Sequence, residues 1–270
     1  MIFSKPLPFD EAIDSRQVKS VLPTTASSAQ LQQIAPELRE RAMFSARTAN
    51  AGYLDKINDL VTRIVSPEGA GPGEYMDIST ARLELKKALA AIGYQPDPKK
   101  RGGLQDLSSD RRLNLIIETN TKMAQEYGNW KQGQDPQILD LWPAQELYRR
   151  EARDEKRDWQ TRWVQAGGKL YGGRMIALKN ADVWTSVSAF GQPYPPFDYN
   201  SGMGVRDVRR DEAVRLGVIE PDAIVPPDDR PFNDDLELDV SERQGALLDA
   251  LTESLGDTAE LVDGVLRMKK

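Results

Sequence analysis

The spacing of apolar residues changes character at Gly128, and the change separates two ways of building a core. Between about Pro36 and Val65, Ala42, Ala46, Ala49, Tyr53, Ile57, Leu60 and Ile64 recur at steps of three and four. That period places them on one face of a helix. Ser66-Pro67 and glycines at 69, 71 and 73 stop it. The Gly-Ala-Gly-Pro-Gly run lacks the Gly-Lys-Ser/Thr that a phosphate loop uses to hold nucleotide and Mg²⁺, so it reads as a connecting loop. A second stripe, Ile78, Ala81, Leu85, Leu89 and Ile92, predicts a helix from Asp77 or Ser79 that Gly93 ends. A third, Leu107, Leu113, Ile116 or Ile117, Asn120, Met123 and Tyr127, predicts a helix over 104–127. Three such stripes in succession predict a helical layer sharing one core.

After Gly128 the period is lost. All five tryptophans, Trp130, Trp142, Trp159, Trp163 and Trp184, fall within the next stretch. Elements there are short. Helices are expected near 135–141 and 158–166, and strands at 145–149, 174–178 and 183–187. An irregular loop follows from Gly191 to Gly204, with a short helix from Arg209 to Leu216 closed by Gly217. The resulting expectation is an α+β chain, with a helical N-terminal half, a small mixed α/β C-terminal domain and extended arms. The boundaries are an arm over 1–36 with one short helix at 9–20, a helical domain over 37–130, an α/β domain over 131–219, and an acidic tail over 220–270. Ser241 and Asp257 are candidate caps for two tail helices, the first running to Ser254 and the last carrying Leu261 and Val265.

The chain of 270 residues contains no cysteine and no histidine. That excludes disulfides, thiol nucleophiles, Ser-His-Asp chemistry and His-ligated metals. Any catalysis would fall to carboxylates, Lys, Tyr or carboxylate-held Mg²⁺. Asp198, Asp207, Asp211 and Glu212 are the acids that could build such a site. They stand beside Arg206, Arg209, Arg210 and Arg215, and surface ion pairing is the simpler expectation. Neither a cofactor nor a metal is expected. The net charge is −6, with fourteen Asp/Glu against two Arg between Glu220 and Gly264. The basic clusters, Lys99-Lys100-Arg101, Arg111-Arg112, Arg149-Arg150 and Arg206 to Arg210, are short and mixed with acids, unlike a duplex-binding footprint. The apolar runs are too short to span a bilayer, and the start has no secretory pattern, so a product made soluble in the cytosol is expected.

Three segments in order carry a resemblance: Leu115-Ile-Ile-Glu-Thr-Asn-Thr121 in a helix, Pro143-Ala-Gln-Glu-Leu-Tyr-Arg149 as a strand, and Pro193-Tyr-Pro-Pro-Phe-Asp-Tyr-Asn200 as a closing loop. Over about Leu113 to Val208 the chain resembles the Mu F-like head-morphogenesis family of tailed bacteriophages. The family's loop often ends in His and Cys; here Ser201-Gly-Met-Gly-Val-Arg-Asp207 stands there, so no metal or disulfide role carries over. The resemblance implies a non-enzymatic minor head protein of the virion, acting in head morphogenesis near the portal, in several copies, made in the host cytoplasm. Its implied partners are portal, major capsid or connector proteins, with weak contact to packaged DNA compatible with that place and no membrane. A head–tail connector or adaptor is the nearest alternative, and a Mg²⁺-dependent carboxylate enzyme a further one. The candidate docking residues are Tyr194, Pro195, Pro196, Phe197 and Tyr199, because aromatic rings set between prolines make a preformed contact surface. Packing of that loop on its own domain is the competing expectation.

Overall fold

The computed structural model describes residues 10–17, 19–21, 42–43, 45, 47–65, 76–153, 156–198, 201–228, 237–239, 259–262 and 265–268. Among these are eight helices and nine strands, an α+β fold with a helical N-terminal half. Two compact units emerge, one formed by 1–124 with 232–270 and the other by 125–231.

The first unit contains α1 (Asp10–Gln17), a parallel pair of β1 (Ser20–Val21) and β2 (Ala42–Met43), α2 (Ala51–Val65), α3 (Ile78–Ala91) and the first part of α4 (Asp110–Gln132). Its core joins Leu54, Ile57, Leu60 and Val61 of α2 to Ala81, Leu85 and Leu89 of α3 and Leu113 and Ile117 of α4. Except for Leu54 and Val61, these belong to the expected stripes, but two helix starts differ. α2 begins only after Asn50, whose Oδ1 accepts from the Tyr53 amide at 2.8 Å, so Ala42 lies in a strand rather than in that helix. α4 begins after Ser109, whose Oγ accepts from the Arg112 amide at 3.1 Å. Before it, the Asp106 carboxylate accepts from the Gly102 and Ser108 amides and holds a series of turns. α3 ends as expected. Gly93 takes φ 71°, and the Gly93 and Tyr94 amides donate to Ala90 and Leu89. This αL cap satisfies two otherwise orphaned carbonyls and suits a residue without Cβ. Arg16 is fully buried between α1, α2 and α4, donating to Asn58 and Asn120, and burial pushes its pKa down to about 10.

The last-helix expectation is corrected. Residues 259–262 and 265–268 are strands β8 and β9, paired antiparallel with Val262 opposite Val265, and β7 (Glu237–Asp239) adds on the other side of β9. Asp263-Gly264 stands between β8 and β9, a two-residue hairpin signal that outweighs Asp257 as a cap. The expected helix from Ser241 to Ser254 and most of the N-terminal arm lie outside the described residues.

The second unit is built on an antiparallel sheet in the order β4-β5-β3-β6. Its strands are β3 (Ala144–Arg149), β4 (Leu170–Tyr171), β5 (Arg174–Leu178) and β6 (Met203–Val208). Helices α5 (Pro136–Leu141), α6 (Trp159–Gln165), α7 (Val183–Val187) and α8 (Arg210–Arg215) complete it. Strand alternation gives the sheet two covered faces. On one, Leu147, Met175 and Met203 pack with Trp159, Trp163, Trp184 and Phe197. On the other, Ala144, Ile176 and Val208 pack with Leu139, Ala213, Ile219 and Val225. Trp163 and Trp184 meet edge to face at 5.0 Å, and their indoles donate to the carbonyls of Lys169 and Leu178 at 2.8 and 2.7 Å. Residues 183–187 are a helix, not the expected strand. Val183, Trp184 and Val187 are all buried, which needs the helical offset of one and four rather than alternation.

Unit boundaries also differ from composition. Gly128 does not break α4, which runs on to Gln132. Residues 220–228 belong to the second unit. Val225 is in its core, Asn180 donates to the Pro226 carbonyl, and the Asp228 amide donates to Gln134 Oε1 at 2.8 Å.

Candidate docking cleft

The last turns of α4 carry Tyr127 and Trp130 one helical turn apart, so both rings lie on one side. They enclose Tyr194 from the proline loop, at 5.6 Å from Tyr127 and 5.8 Å from Trp130. Gln192 donates through its side chain to the Tyr194 carbonyl at 3.1 Å and ties the loop to itself. Trp130 and Tyr194 border a cleft of about 520 Å³ within the second unit. Pro193 and Pro195 of the loop and Gln145, Val205, Arg206 and Asp207 of β3 and β6 border it as well.

The polar groups of the cleft include both donors and acceptors. Lys179 has only 4% of its side chain exposed, and its Nζ lies 2.8 Å from Asp207, whose side chain is 52% exposed. Gln134 is buried, and its Nε2 has no acceptor; the same is true of Trp130 Nε1. Leaving a buried donor unmet costs roughly 1–3 kcal/mol each. Arg150 reaches across to Glu126 at 2.8 Å. Arg206 donates to Glu146 at 2.9 Å and lies over the Tyr148 ring at 5.2 Å. Glu146 also accepts from Arg174 at 2.6 Å. Burial works to raise the Glu146 pKa, but the hydrogen bonds and charges of Arg174 and Arg206 outweigh it, and the carboxyl sits below the usual glutamate range.

Of the expected docking residues, Tyr194 and Pro195 border this cleft. Pro196 is half-buried and is not part of its lining. Phe197 is corrected to a core residue. It is fully buried, stacked on Trp184 at 6.0 Å, with its carbonyl accepting from the Ala189 amide at 2.7 Å. Burying the Phe197 ring beside Trp184 removes apolar surface from water, which favours packing of this part of the loop on its own unit. Tyr199 lies outside the described residues. Trp130, Gln134, Lys179 and Arg206 were not expected in a site; the only signal in the sequence was the clustering of tryptophans.

The acids considered for chemistry are dispersed and each faces a cation. Asp198 meets Arg162 at 2.9 Å and Arg157 at 3.5 Å, Asp207 meets Lys179, Asp211 meets Arg209 at 3.3 Å, and Glu212 meets Arg174 at 2.6 Å. Among the described residues no group of three or more acids could hold a metal ion. Several basic residues of this unit are also occupied internally. Arg149 donates to the Ser201 carbonyl, and Arg210 meets Asp140 at 3.1 Å. Among the described residues no helix is long and apolar enough to cross a membrane. No protein-family profile, curated protein or solved structure matches the chain.

Proposed function

We propose that this chain is a structural protein that works by docking rather than by turnover, and that it serves as a minor head protein of a tailed bacteriophage, acting in head morphogenesis near the portal. The docking part rests on one observation. The cleft at the end of α4 is bordered by aromatic and proline side chains, Trp130, Pro193, Tyr194 and Pro195, while the carboxylates that could do chemistry are each held by Arg or Lys. Rings fixed by packing offer contact area at little entropic cost, as an assembly surface needs. The phage assignment rests on the order of the three segments that resemble the Mu F-like family. Two of these lie beside the cleft: the strand over 143–149 supplies Gln145 and Tyr148, and the loop supplies Pro193, Tyr194 and Pro195. Quantitative mass spectrometry of gradient-purified particles from the virus that encodes the chain tests the assignment. The proposal expects the chain in the particles at low copy relative to the major capsid protein; its absence from intact particles rejects it.

A further inference from the structure

We propose that Leu141 and Ile224 form an apolar anchor for a partner protein whose receiving surface is an apolar socket ringed by Lys or Arg. Neither residue lines the cleft, so the inference goes beyond it. Among the described residues these are the two most exposed large hydrophobic side chains, Leu141 at 56% and Ile224 at 89%. They are far apart in sequence, and Arg210 brings them to one corner of the second unit. Its guanidinium donates to the Asp140 carbonyl at 2.6 Å and to the Ala223 carbonyl at 3.0 Å. Leu141 and Ile224 are the residues that follow these two. Close by in the chain, Leu139 and Val225 are buried in one core cluster, with Ala223, Leu216 and Val218 partly buried against it. The exposed pair therefore stands at the margin of a core. A single exposed aliphatic residue is ordinary, whereas apolar residues gathered at one place on a surface mark contacts with other molecules.

The anchor is held in place from both sides. Arg210 also donates to the Pro221 carbonyl at 3.3 Å, and Val225 is only 5% exposed. Asn180 donates to the Pro226 carbonyl at 3.1 Å, and the Asp228 amide donates to Gln134 Oε1 at 2.8 Å. Pro221, Pro226 and Pro227 restrict the backbone further. A side chain presented this way loses little conformational freedom on binding. Charge identifies the partner. Segments 135–141 and 220–228 carry Asp135, Asp140, Glu220, Asp222 and Asp228 and no Lys or Arg. Arg210, which lies between them, is 23% exposed and already meets Asp140 at 3.1 Å. The corner is acidic, so phosphates are repelled. A second copy docking through the same corner would set these acids against themselves. A protein surface with a basic rim is the complementary match.

The test places a photoreactive amino acid at position 224 of the full chain and irradiates the cells that naturally make it. The expected result is one crosslinked protein, joined at an apolar residue flanked by Lys or Arg. With that protein purified, Ile224→Asp is expected to weaken binding at least about tenfold, through loss of one buried aliphatic side chain. The same variant should melt within about 2 °C of the parent by tryptophan emission, because the replaced side chain is exposed. Glu220→Lys and Asp222→Lys, both at exposed positions, should weaken binding at low salt and match the parent near about 1 M salt. The proposal is overturned by no crosslink, by crosslinks only to another copy of the chain or to nucleic acid, or by a crosslinked site rimmed with acids. Unchanged binding of Ile224→Asp overturns it too, as does a large fall in its melting temperature, which would make Ile224 a packing residue. A crosslinked protein that never enters particles keeps the anchor and rejects the virion role; a chain present in particles that yields no crosslink does the reverse.

Discussion

Gly168→Ala should unfold the second unit at a markedly lower temperature. A Cβ at Gly168 would lie 2.3 Å from Trp163 Nε1, 2.4 Å from Cε2 and 2.6 Å from Cδ1. Carbon contacts are comfortable only near 3.5–4.0 Å, so the ring would have to move by about 1 Å or more. It has little room. Trp163 is fully buried, sits 5.0 Å from Trp184 and is anchored by its 2.8 Å bond to the Lys169 carbonyl. Overpacking of this kind costs about 1–3 kcal/mol, and straining the indole hydrogen bond adds about 1 kcal/mol. A total near 3 kcal/mol corresponds to a fall of about 15 °C in Tm for a domain of this size. All five tryptophans lie between 130 and 184, so tryptophan emission reports the second unit alone. In a Trp163→Phe background, which lacks Nε1, the added methyl should cost less, giving a coupling that a double-mutant cycle reads directly. A Gly168→Ala variant melting within about 2 °C of the parent would refute the packing argument.

Three further outcomes are expected. Glu146→Gln should lower stability at neutral pH. Because the folded pKa of Glu146 is depressed, its contribution is present above the unfolded value of about 4.3 and is lost as pH falls through the lower folded value. Denaturant midpoints of parent and variant should therefore converge below about pH 4; a gap that stays constant on acidification contradicts the Arg174 and Arg206 assignment. Leu85→Ala, at a fully buried position shared by α2, α3 and α4, should cost about 2–5 kcal/mol in a far-UV melt, and a loss under about 1 kcal/mol would mean the helical core is loosely packed. Calorimetric titration with Mg²⁺ or Mn²⁺ should give no saturable stoichiometric heat, since Asp198, Asp207, Asp211 and Glu212 already face cations; tight one-to-one binding would restore the enzyme alternative.

The helical half was legible where period and punctuation agree. Ala81, Leu85 and Leu89 form a stripe closed by Gly93, and α3 has those bounds to within a residue or two. Starts were less legible, because Asn50 and Ser109 cap through single side-chain bonds that apolar spacing does not announce. Of the sheet, β5 was visible as a short apolar run and β3 was expected at 145–149, while β6, Met-Gly-Val-Arg-Asp-Val, is interrupted by a glycine and two charges and does not read as a strand. Its edge position tolerates those residues, and its pairing with β3 is non-local. Phe197 and Tyr194 look equivalent in sequence and both are buried, yet only Tyr194 borders the cleft. The side of a proline loop that faces inward depends on which rings the sheet already buries. Lys179 and Gln134 were illegible for the same reason: one follows an apolar strand and the other a helix end, and only tertiary placement brings them to one cleft.

Photo-crosslinking in assembled particles addresses the central claim most directly. With a photoreactive amino acid in place of Arg206, whose side chain is 56% exposed and borders the cleft, irradiation should join the chain to one defined segment of a different particle protein. Assembled particles that contain the substituted chain but yield no crosslink at this position, or crosslinks only between copies of the chain, would contradict docking through this cleft.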